Sequence, residues 1–267
     1  MPMLDRDGVR LACDYVDGPR QPLVFIHGWC CDRGYLAPQV ERFAAAGHAI
    51  LAPDLRGHGA SDAPEGAYTM DVFADDVAWL ARAVGIARPV IVGHSMGGIV
   101  GFDLMMRHPG EIAGLVMIDS AVARPAASRA ALPAFIAKLR GPDAATLVRD
   151  YVRRTLFLPT DDAARQARIL AAMGGVPPHV MAGALQGMYD FDPSPAARII
   201  RPPVLFIATN GPPLCDLTRL AAIVPEVMTA QTAGSGHFAP LEVPDQVNAM
   251  IARFLDVGVK EEESGAR

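Results

Sequence analysis

The stretch PVIVGHSMGG, residues 89–98, decides the fold of this chain. It opens with a short apolar run, passes through Gly-x-Ser-x-Gly, and leads into a segment of helical period that continues to about residue 107. A serine on a tight turn between a strand and a helix must adopt strained backbone angles. The flanking glycines are required because side chains there would collide with the strand and the helix. We therefore predict that Ser95 lies on such a turn as a candidate nucleophile.

The segments on either side repeat the same rhythm of apolar runs and helical periods. Strands buried on both faces of a parallel sheet are continuous apolar runs, so this rhythm predicts an α/β fold with a mostly parallel sheet. The runs are LVFIHG (23–28), AILAPDL (49–55), PVIVGHS (89–95), GLVMIDS (114–120), PPVLFIAT (202–209) and VMTAQTAGSGH (227–237). Helices are expected near 37–46, 71–85, 97–107 and 244–256.

A long segment interrupts this pattern. Residues 122–198 contain no strand-like run but four segments of helix length separated by prolines. We predict a core formed by residues 1–121 and 199–260, with residues 122–198 inserted as a helical cap. The last residues, 261–267, are expected to be a disordered tail.

Composition narrows the class of protein. The net charge is −5 and the arginines are scattered along the chain, which offers no basic field for a nucleic acid. No apolar run approaches the roughly 20 residues needed to cross a bilayer, and the N-terminus lacks the pattern of a signal peptide. We expect a soluble, cytoplasmic protein that acts on a small molecule, as a monomer or a homodimer. The cysteines (Cys13, Cys30, Cys31 and Cys215) lack metal-ligand spacing and are expected to be reduced packing residues, so no metal site is predicted.

A serine hydroxyl needs a base and an oxyanion site to react at neutral pH. His237 follows a strand-like run and precedes the last helix, which predicts a position at the carboxyl edge of the sheet. The amide of Met96, at the start of the helix after Ser95, can donate to an oxyanion. We assign the second donor to the amide of Trp29, because the neighbouring Gly28 lets the backbone bend toward Ser95.

These motifs together strongly resemble the α/β-hydrolase family. The matching segments occur in the family's order and are His27-Gly28-Trp29, Pro53-Asp54-Leu55-Arg56-Gly57-His58-Gly59-Ala60-Ser61-Asp62, Gly93-His94-Ser95-Met96-Gly97-Gly98 and Gly236-His237-Phe238. The resemblance implies an eight-stranded, mostly parallel sheet with helices on both faces. It also implies a helical cap and a Ser, acid, His triad that requires no cofactor.

The acid of the triad departs from the commonest family pattern. Members usually carry it in a turn after the strand corresponding to residues 202–209, where this chain has Thr-Asn-Gly-Pro. Asp119 ends an earlier strand on the same sheet edge, as in some dehalogenase branches, and is our first choice. Asp216 and Asp192 remain alternatives, although each also fits a helix-capping or bracing role.

The expected reaction is hydrolysis of a small to medium carboxylic ester or lactone. Related epoxide hydrolases and dehalogenases need an aspartate where this chain has Ser95. Apolar residues of the cap are candidate substrate contacts, although their helical spacing equally fits packing within the cap. They are Phe157, Met181, Leu185 and Met188. His27 is a further candidate, although a histidine within a turn motif more often holds the turn by hydrogen bonds.

Two other functions stay open. The string His27-Gly28-Trp29-Cys30-Cys31-Asp32 and an acid at Asp119 resemble cofactor-independent dioxygenases of this fold that cleave hydroxyquinolones. Those enzymes tend to have His-Ser-His-Gly at the turn, where this chain has His-Ser-Met-Gly. A ligand receptor of the hydrolase fold is the third possibility, because a fold alone does not define a function.

Overall fold

An eight-stranded sheet forms the centre of the molecule in the computed structural model, which describes residues 2–199 and 201–259. The strands are β1 (Met3–Arg6), β2 (Val9–Val16), β3 (Arg20–Ile26), β4 (His48–Pro53), β5 (Val90–His94), β6 (Gly114–Ile118), β7 (Val204–Ala208) and β8 (Met228–Gln231). Their spatial order is β1-β2-β4-β3-β5-β6-β7-β8. The pairs β1–β2 and β2–β4 are antiparallel and all the others are parallel. The predicted fold class is therefore confirmed, and the predicted tail 261–267 lies outside the described residues.

Helices cover both faces of this sheet. They are α1 (Ala37–Ala45), α2 (Met70–Ala83), α3 (Met96–Arg107), α4 (Ala126–Leu139), α5 (Ala144–Thr155), α6 (Ala163–Met173), α7 (Pro178–Asp190), α8 (Leu217–Ile223), α9 (Ala239–Glu242) and α10 (Pro244–Gly258). Phe73 of α2 and Phe102 of α3 are buried in the core of one face. Phe43 of α1 and Phe254 of α10 are buried in the core of the other.

The sequence of α2 shows why such a segment becomes a helix with one buried face. Phe73, Val77 and Leu80 recur at helical spacing and are all buried. Asp71 lies in the first turn and Arg82 in the last, where each charge opposes the helix dipole. Gly85 follows with φ +76°, a left-handed conformation in which glycine ends a helix at little cost. This helix therefore packs its apolar side on the sheet.

Helices α4 to α7 lie between β6 and β7 in the chain, in the segment without strands. Helix α7 attaches them to the core. The indole Nε1 of Trp29 donates a hydrogen bond to the carbonyl oxygen of Met181 at 2.9 Å. Gly57 has φ +78°, and a Cβ there would lie 2.6 Å from Cγ1 of Val180. The absence of a side chain at Gly57 thus lets α7 approach the core closely.

Across residues 2–199 and 201–259, no helix is long and apolar enough to cross a membrane.

Candidate active site

Ser95 lies at the turn between β5 and α3, as predicted. Its backbone has φ +54° and ψ −117°, a conformation that costs free energy in a residue with a side chain. Its amide donates a hydrogen bond to the carbonyl oxygen of Ile118, at the end of the neighbouring β6, over 2.9 Å. Seven per cent of the residue is exposed. The serine is therefore held at the carboxyl edge of the sheet in a nearly closed site.

The two glycines of the motif make this turn sterically possible. A Cβ on Gly93 would lie 2.3 Å from the backbone carbon of Gly97, and a Cβ on Gly97 would lie 2.1 Å from the carbonyl oxygen of Ile26. Both distances are far shorter than any real contact between non-bonded heavy atoms. Strand β3, strand β5 and helix α3 can therefore converge on Ser95 only with glycine at these two positions.

The turn that carries Trp29 packs directly against the candidate nucleophile. A Cβ built on Gly28 would lie 3.1 Å from the Cβ of Ser95. The amides of Trp29 and Met96 donate to no partner among the residues that the structure describes. Two unpaired donors beside a serine are the groups that a developing oxyanion requires.

His237 and Asp119 form a buried hydrogen-bonded pair. Nδ1 of His237 lies 2.7 Å from Oδ2 of Asp119, and the two residues are 6% and 5% exposed. A carboxylate that accepts from Nδ1–H leaves Nε2 as the lone-pair nitrogen of the ring. The structure thus places the predicted base and the first-choice acid together.

Asp119 is held in place by the sheet. It follows β6 directly, has φ +43°, and donates its backbone amide to the carbonyl oxygen of Ile207 in β7 over 2.8 Å. The left-handed conformation is one that aspartate tolerates better than most residues. The backbone that carries the carboxylate is therefore fixed by β6, which it follows, and by β7, to which it is bonded.

The two alternative acids make their hydrogen bonds elsewhere, and the carboxylate bonded to His237 is that of Asp119. Asp216 caps α8, where its Oδ1 accepts from the amide of Arg219 at 3.0 Å. Asp192 accepts from the amide and the hydroxyl of Ser194 at 3.0 and 2.8 Å, and these bonds lower its pKa. Both carboxylates stabilise local turns, which is the bracing role that the sequence also allowed.

His27, the further candidate for a substrate contact, is bonded to backbone groups in the structure. The ring is fully buried, its Nε2 accepts from the amide of Leu55 at 3.0 Å, and its Nδ1 lies 2.8 Å from the carbonyl oxygen of Gly28. Burial lowers the pKa of the imidazole, which therefore stays neutral. Both nitrogens are occupied by backbone groups, so His27 holds the turn, as histidines within turn motifs often do.

The candidate contacts in α7 are mostly packing residues. Met181 has no accessible surface, so its side chain is packed within the core. Leu185 and Met188 are 4% and 7% exposed and belong to the same apolar core. Apolar residues at helical spacing on a helix that is packed on both sides contribute mainly to packing. Of the four candidates, Phe157 is the most exposed and is half-buried.

Phe157 lies beside the candidate base. Its ring centroid is 5.4 Å from that of Phe238, the residue after His237. Tyr151 of α5, which sequence reasoning missed, contacts the Trp29 ring edge-on with centroids 6.3 Å apart. No local pattern distinguishes Tyr151 from any other half-buried aromatic residue of a helix. Aromatic rings from the inserted segment thus meet the core beside both the candidate base and the turn that carries Trp29.

His94 is a second residue whose contacts the sequence did not reveal. Its Nε2–H donates to the carbonyl oxygen of His237 at 2.8 Å, and the two ring centroids are 4.6 Å apart. Burial lowers the pKa of His94 well below its ordinary value, so the ring is neutral. The residue before Ser95 therefore holds the backbone of the candidate base.

In the part of the chain that the structure describes, no three His, Cys, Asp or Glu side chains converge as ligands for a metal ion. The four cysteines are buried and unpaired.

The parallel sheet, the strained serine and the His–Asp pair at one edge together define the α/β-hydrolase architecture. A model of the alpha/beta hydrolase family matches residues 23–250. The chain belongs to the alpha/beta hydrolase family.

Individual relatives extend this assignment. The chain is 30% identical over 259 residues to the pimeloyl-[acyl-carrier protein] methyl ester esterase of Aromatoleum aromaticum, covering 87% of this chain and 97% of that protein. It is 38% identical over 106 residues to the non-heme chloroperoxidase of Streptomyces lividans, but spans only 38% of that protein and 39% of its own length. A thermophilic esterase from Thermogutta terrifontis superposes with a TM-score of 0.84 at 23% identity, covering 97% of each chain, which is a likeness of fold.

Proposed function

We propose that this protein is a serine hydrolase that cleaves a small to medium carboxylic ester or lactone through an acyl-enzyme intermediate. The hydrogen bond between His237 and Asp119, on the sheet edge that carries the strained Ser95, is the observation that carries the proposal. Such an arrangement supplies a nucleophile, a base and a group that orients the base.

The first half of the reaction acylates the enzyme. Oγ of Ser95 attacks the substrate carbonyl carbon while Nε2 of His237 takes the hydroxyl proton, and Asp119 stabilises the imidazolium. The amides of Trp29 and Met96 hold the negative oxygen of the tetrahedral intermediate. The intermediate collapses when the bond to the leaving oxygen breaks and His237 returns the proton to that oxygen. An ester loses its alcohol at this step, whereas the alcohol of an opened lactone stays attached to the acyl group.

The second half restores the serine. A water molecule gives its proton to Nε2 of His237 and attacks the acyl carbon, and the same two amides hold the oxyanion. The bond to Oγ of Ser95 then breaks, Oγ takes the proton back, and the carboxylic acid leaves. Every proton moves through His237, so the cycle needs no cofactor.

The substrate class follows from the side chains around the site. We treat helices α4 to α7 as the cap, because α7 is bonded to the oxyanion turn through Trp29 and Met181. Phe157 and Tyr151 bring apolar surface to this junction, which favours an uncharged acyl group. The methyl ester esterase among the relatives supports an ester.

Purified protein should be assayed against p-nitrophenyl esters of increasing acyl length, a lactone series and a hydroxyquinolone. Hydrolysis of esters or lactones that is lost in Ser95→Ala supports the proposal. Oxygen consumption with the hydroxyquinolone and no hydrolysis would identify a dioxygenase instead. Saturable binding of these compounds without turnover would identify a ligand receptor. A serine-directed organophosphate should add one adduct, and a peptide map should locate it at Ser95.

A further inference from the structure

The loop that carries His237 is bonded to the inserted segment at more than one point. We call residues 233–242 the base loop and residues 156–162 the insertion loop. The amide of His237 donates to the carbonyl oxygen of Leu156 at 3.3 Å. Nη1 of Arg165, just beyond the insertion loop, donates to the carbonyl oxygen of Leu241 at 3.2 Å. The position of the candidate base therefore depends on groups outside the sheet.

Glu242 joins the two loops from the end of the base loop. Its Oε2 accepts from the amide of Gly236 at 2.8 Å, one residue before His237. Its Oε1 is buried and has no hydrogen-bond donor among the described residues. A buried carboxylate oxygen without a donor is costly, so this atom calls for an explanation.

Asp161 is the acidic neighbour of Glu242, because both carboxylates lie against Gly236. Oε2 of Glu242 accepts from the amide of Gly236 at 2.8 Å, and Oδ2 of Asp161, which accepts from the amide of Leu158 at 2.9 Å, would lie 3.4 Å from a Cβ on Gly236. Two carboxylates hold only acceptors, so they can bond to each other only through a proton on one of them. The carbonyl oxygen of Leu156 would lie 3.2 Å from the same Cβ, so the two loops are in close contact at Gly236.

We infer that Glu242 and Asp161 share one proton and thereby fasten the base loop to the insertion loop, which makes Glu242 a positioning residue for His237. The inference rests on the proposed role of His237 as the base. Protonated Glu242 donates to Asp161 through one oxygen and accepts from Gly236 through the other, so both of its oxygens have a partner. Ionised Glu242 repels Asp161 across the junction of the two loops.

The charges around Glu242 agree with this arrangement. Burial raises the pKa of the Glu242 carboxyl, the negative charge of Asp161 raises it further, and the guanidinium of Arg165 opposes both effects. The adjoining turn at residues 33–36 presents the neutral phenol of Tyr35, whose pKa burial also raises. The base loop itself adds His237, one residue beyond Gly236.

The direction of the pH effect follows from linkage. A carboxyl group with a raised pKa in the folded protein holds its proton where the unfolded chain has lost it. The stabilisation by the shared proton is therefore complete at acidic pH, and it is lost as the pH rises from the ordinary pKa of glutamate through the raised one.

The decisive variant is Glu242→Gln, whose amide copies the protonated acid by accepting from Gly236 and donating to Asp161 at every pH. We expect the Tm of the wild type to fall relative to that of Glu242→Gln as the pH rises from mildly acidic to mildly alkaline. Asp161→Asn should flatten the same dependence, because an amide can donate to ionised Glu242. Asp245→Asn removes an exposed carboxylate of α10 nearby and should leave the dependence unchanged. A Tm difference between wild type and Glu242→Gln that is the same at every pH would overturn the inference.

Kinetics distinguish positioning from simple stability. Glu242→Ala should lower kcat about tenfold or more with little change in KM, because a misplaced base affects the transition state and not the binding of substrate. Glu242→Gln should restore kcat and extend the activity to higher pH. Equal kcat values in the wild type, Glu242→Ala and Glu242→Gln would mean that Glu242 makes only a structural contact and does not position His237. The Tm series repeated in the Ser95→Ala background does not depend on hydrolysis. It therefore tests the shared proton separately from the proposed function. If Glu242→Ala does not fold, infrared spectroscopy takes its place. The wild type should then show a protonated-carboxyl band that is absent from Glu242→Gln. Absence of that band from the wild type would overturn the inference.

Discussion

Oδ2 of Asp119 lies 2.7 Å from Nδ1 of His237, although 118 positions separate the two residues in the chain. The sheet brings them together, because Asp119 ends β6 and His237 follows β8 at the same edge. The intervening chain forms the inserted helices and two further strands. The hydrogen bond thus joins parts of the site that are distant in the chain and adjacent in the fold.

Ser95→Ala should lower kcat for ester hydrolysis by about five to six orders of magnitude, because only binding and oxyanion stabilisation would remain. The variant should fold, since Ser95 makes no side-chain hydrogen bond that the structure needs. Steady-state kinetics and circular dichroism measure the two effects. Ser120→Ala alters another buried serine close to the site and should keep most of the activity. Near-normal turnover in Ser95→Ala would remove the proposed mechanism.

Asp119→Asn should lower kcat by about four orders of magnitude, because an amide favours the wrong histidine tautomer and leaves the imidazolium without a counter-charge. Asparagine tolerates a positive φ, so the backbone at this position should persist. Asp216→Asn and Asp192→Asn are matched controls that should keep most activity, with at most about 1 kcal/mol of stability lost from a weakened cap. A fully active Asp119→Asn would show that the pair is not part of the catalytic machinery.

Gly97→Ala should destabilise the protein by about 3 kcal/mol or more, because its Cβ would overlap the carbonyl oxygen of Ile26 and push β3 away from α3. Gly110→Ala is the control, since a Cβ there meets no atom within 4 Å. Urea unfolding of both variants should separate them clearly. Equal stability would mean that the turn can relax in a way that the present packing does not suggest.

Phe157→Ala should shift the acyl preference toward longer chains. The removed ring leaves room beside Phe238 for about two more methylene groups, each worth about 0.8 kcal/mol, which gives an increase of about tenfold in kcat/KM for a longer ester relative to acetate. Phe191→Ala removes a half-buried ring that packs on Phe102 instead, and should leave the profile unchanged. The same change in both variants would assign Phe157 to packing alone.

Acid should destabilise the fold through buried histidines. Burial lowers the pKa values of His27, His58 and His94, that of His58 to about 3. As the pH falls below the ordinary value of 6.5, the unfolded chain takes up protons that the folded chain cannot, so the free energy of unfolding decreases by up to about 1.4 kcal/mol per pH unit for each histidine. Urea titrations at successive pH values should show this dependence of the free energy of unfolding on pH. In His58→Gln the slope should be smaller by the amount that corresponds to the uptake of about one proton. An unchanged slope in that variant would mean that His58 is not excluded from protonation.

Local patterns predicted the parts of the molecule that local chemistry dictates. The glycines around Ser95 and the apolar runs of the central strands follow from steric limits and burial that act within a few residues. Strands β1 and β2 were not recognised from the residues, because they lie in antiparallel pairs at the edge of the sheet and carry mixed burial in place of a continuous apolar run. The resemblance to the family supplied the count of eight.

Contacts between distant segments could not be predicted from these patterns. Helical spacing marks Met181 as inward-facing but does not tell whether it faces a cavity or a packed core, and its carbonyl contact with Trp29 leaves no trace in the side-chain pattern. The meeting of Glu242 with Asp161 depends likewise on how the insertion is seated. The position of Asp119 could be predicted because the end of a parallel strand fixes the sheet edge at which a residue lies.

The bond from the Trp29 indole to the carbonyl oxygen of Met181 also constrains the engineering of this scaffold. Residues 122–198 are an attractive unit to exchange between relatives in order to change selectivity. A transplanted unit that does not present a carbonyl at the place of Met181 leaves the indole of Trp29 without its acceptor and frees the turn that carries a proposed oxyanion donor. Chimeras should therefore be joined with α7 retained from this chain, so that new helices alter the entrance while the catalytic turn keeps its anchor.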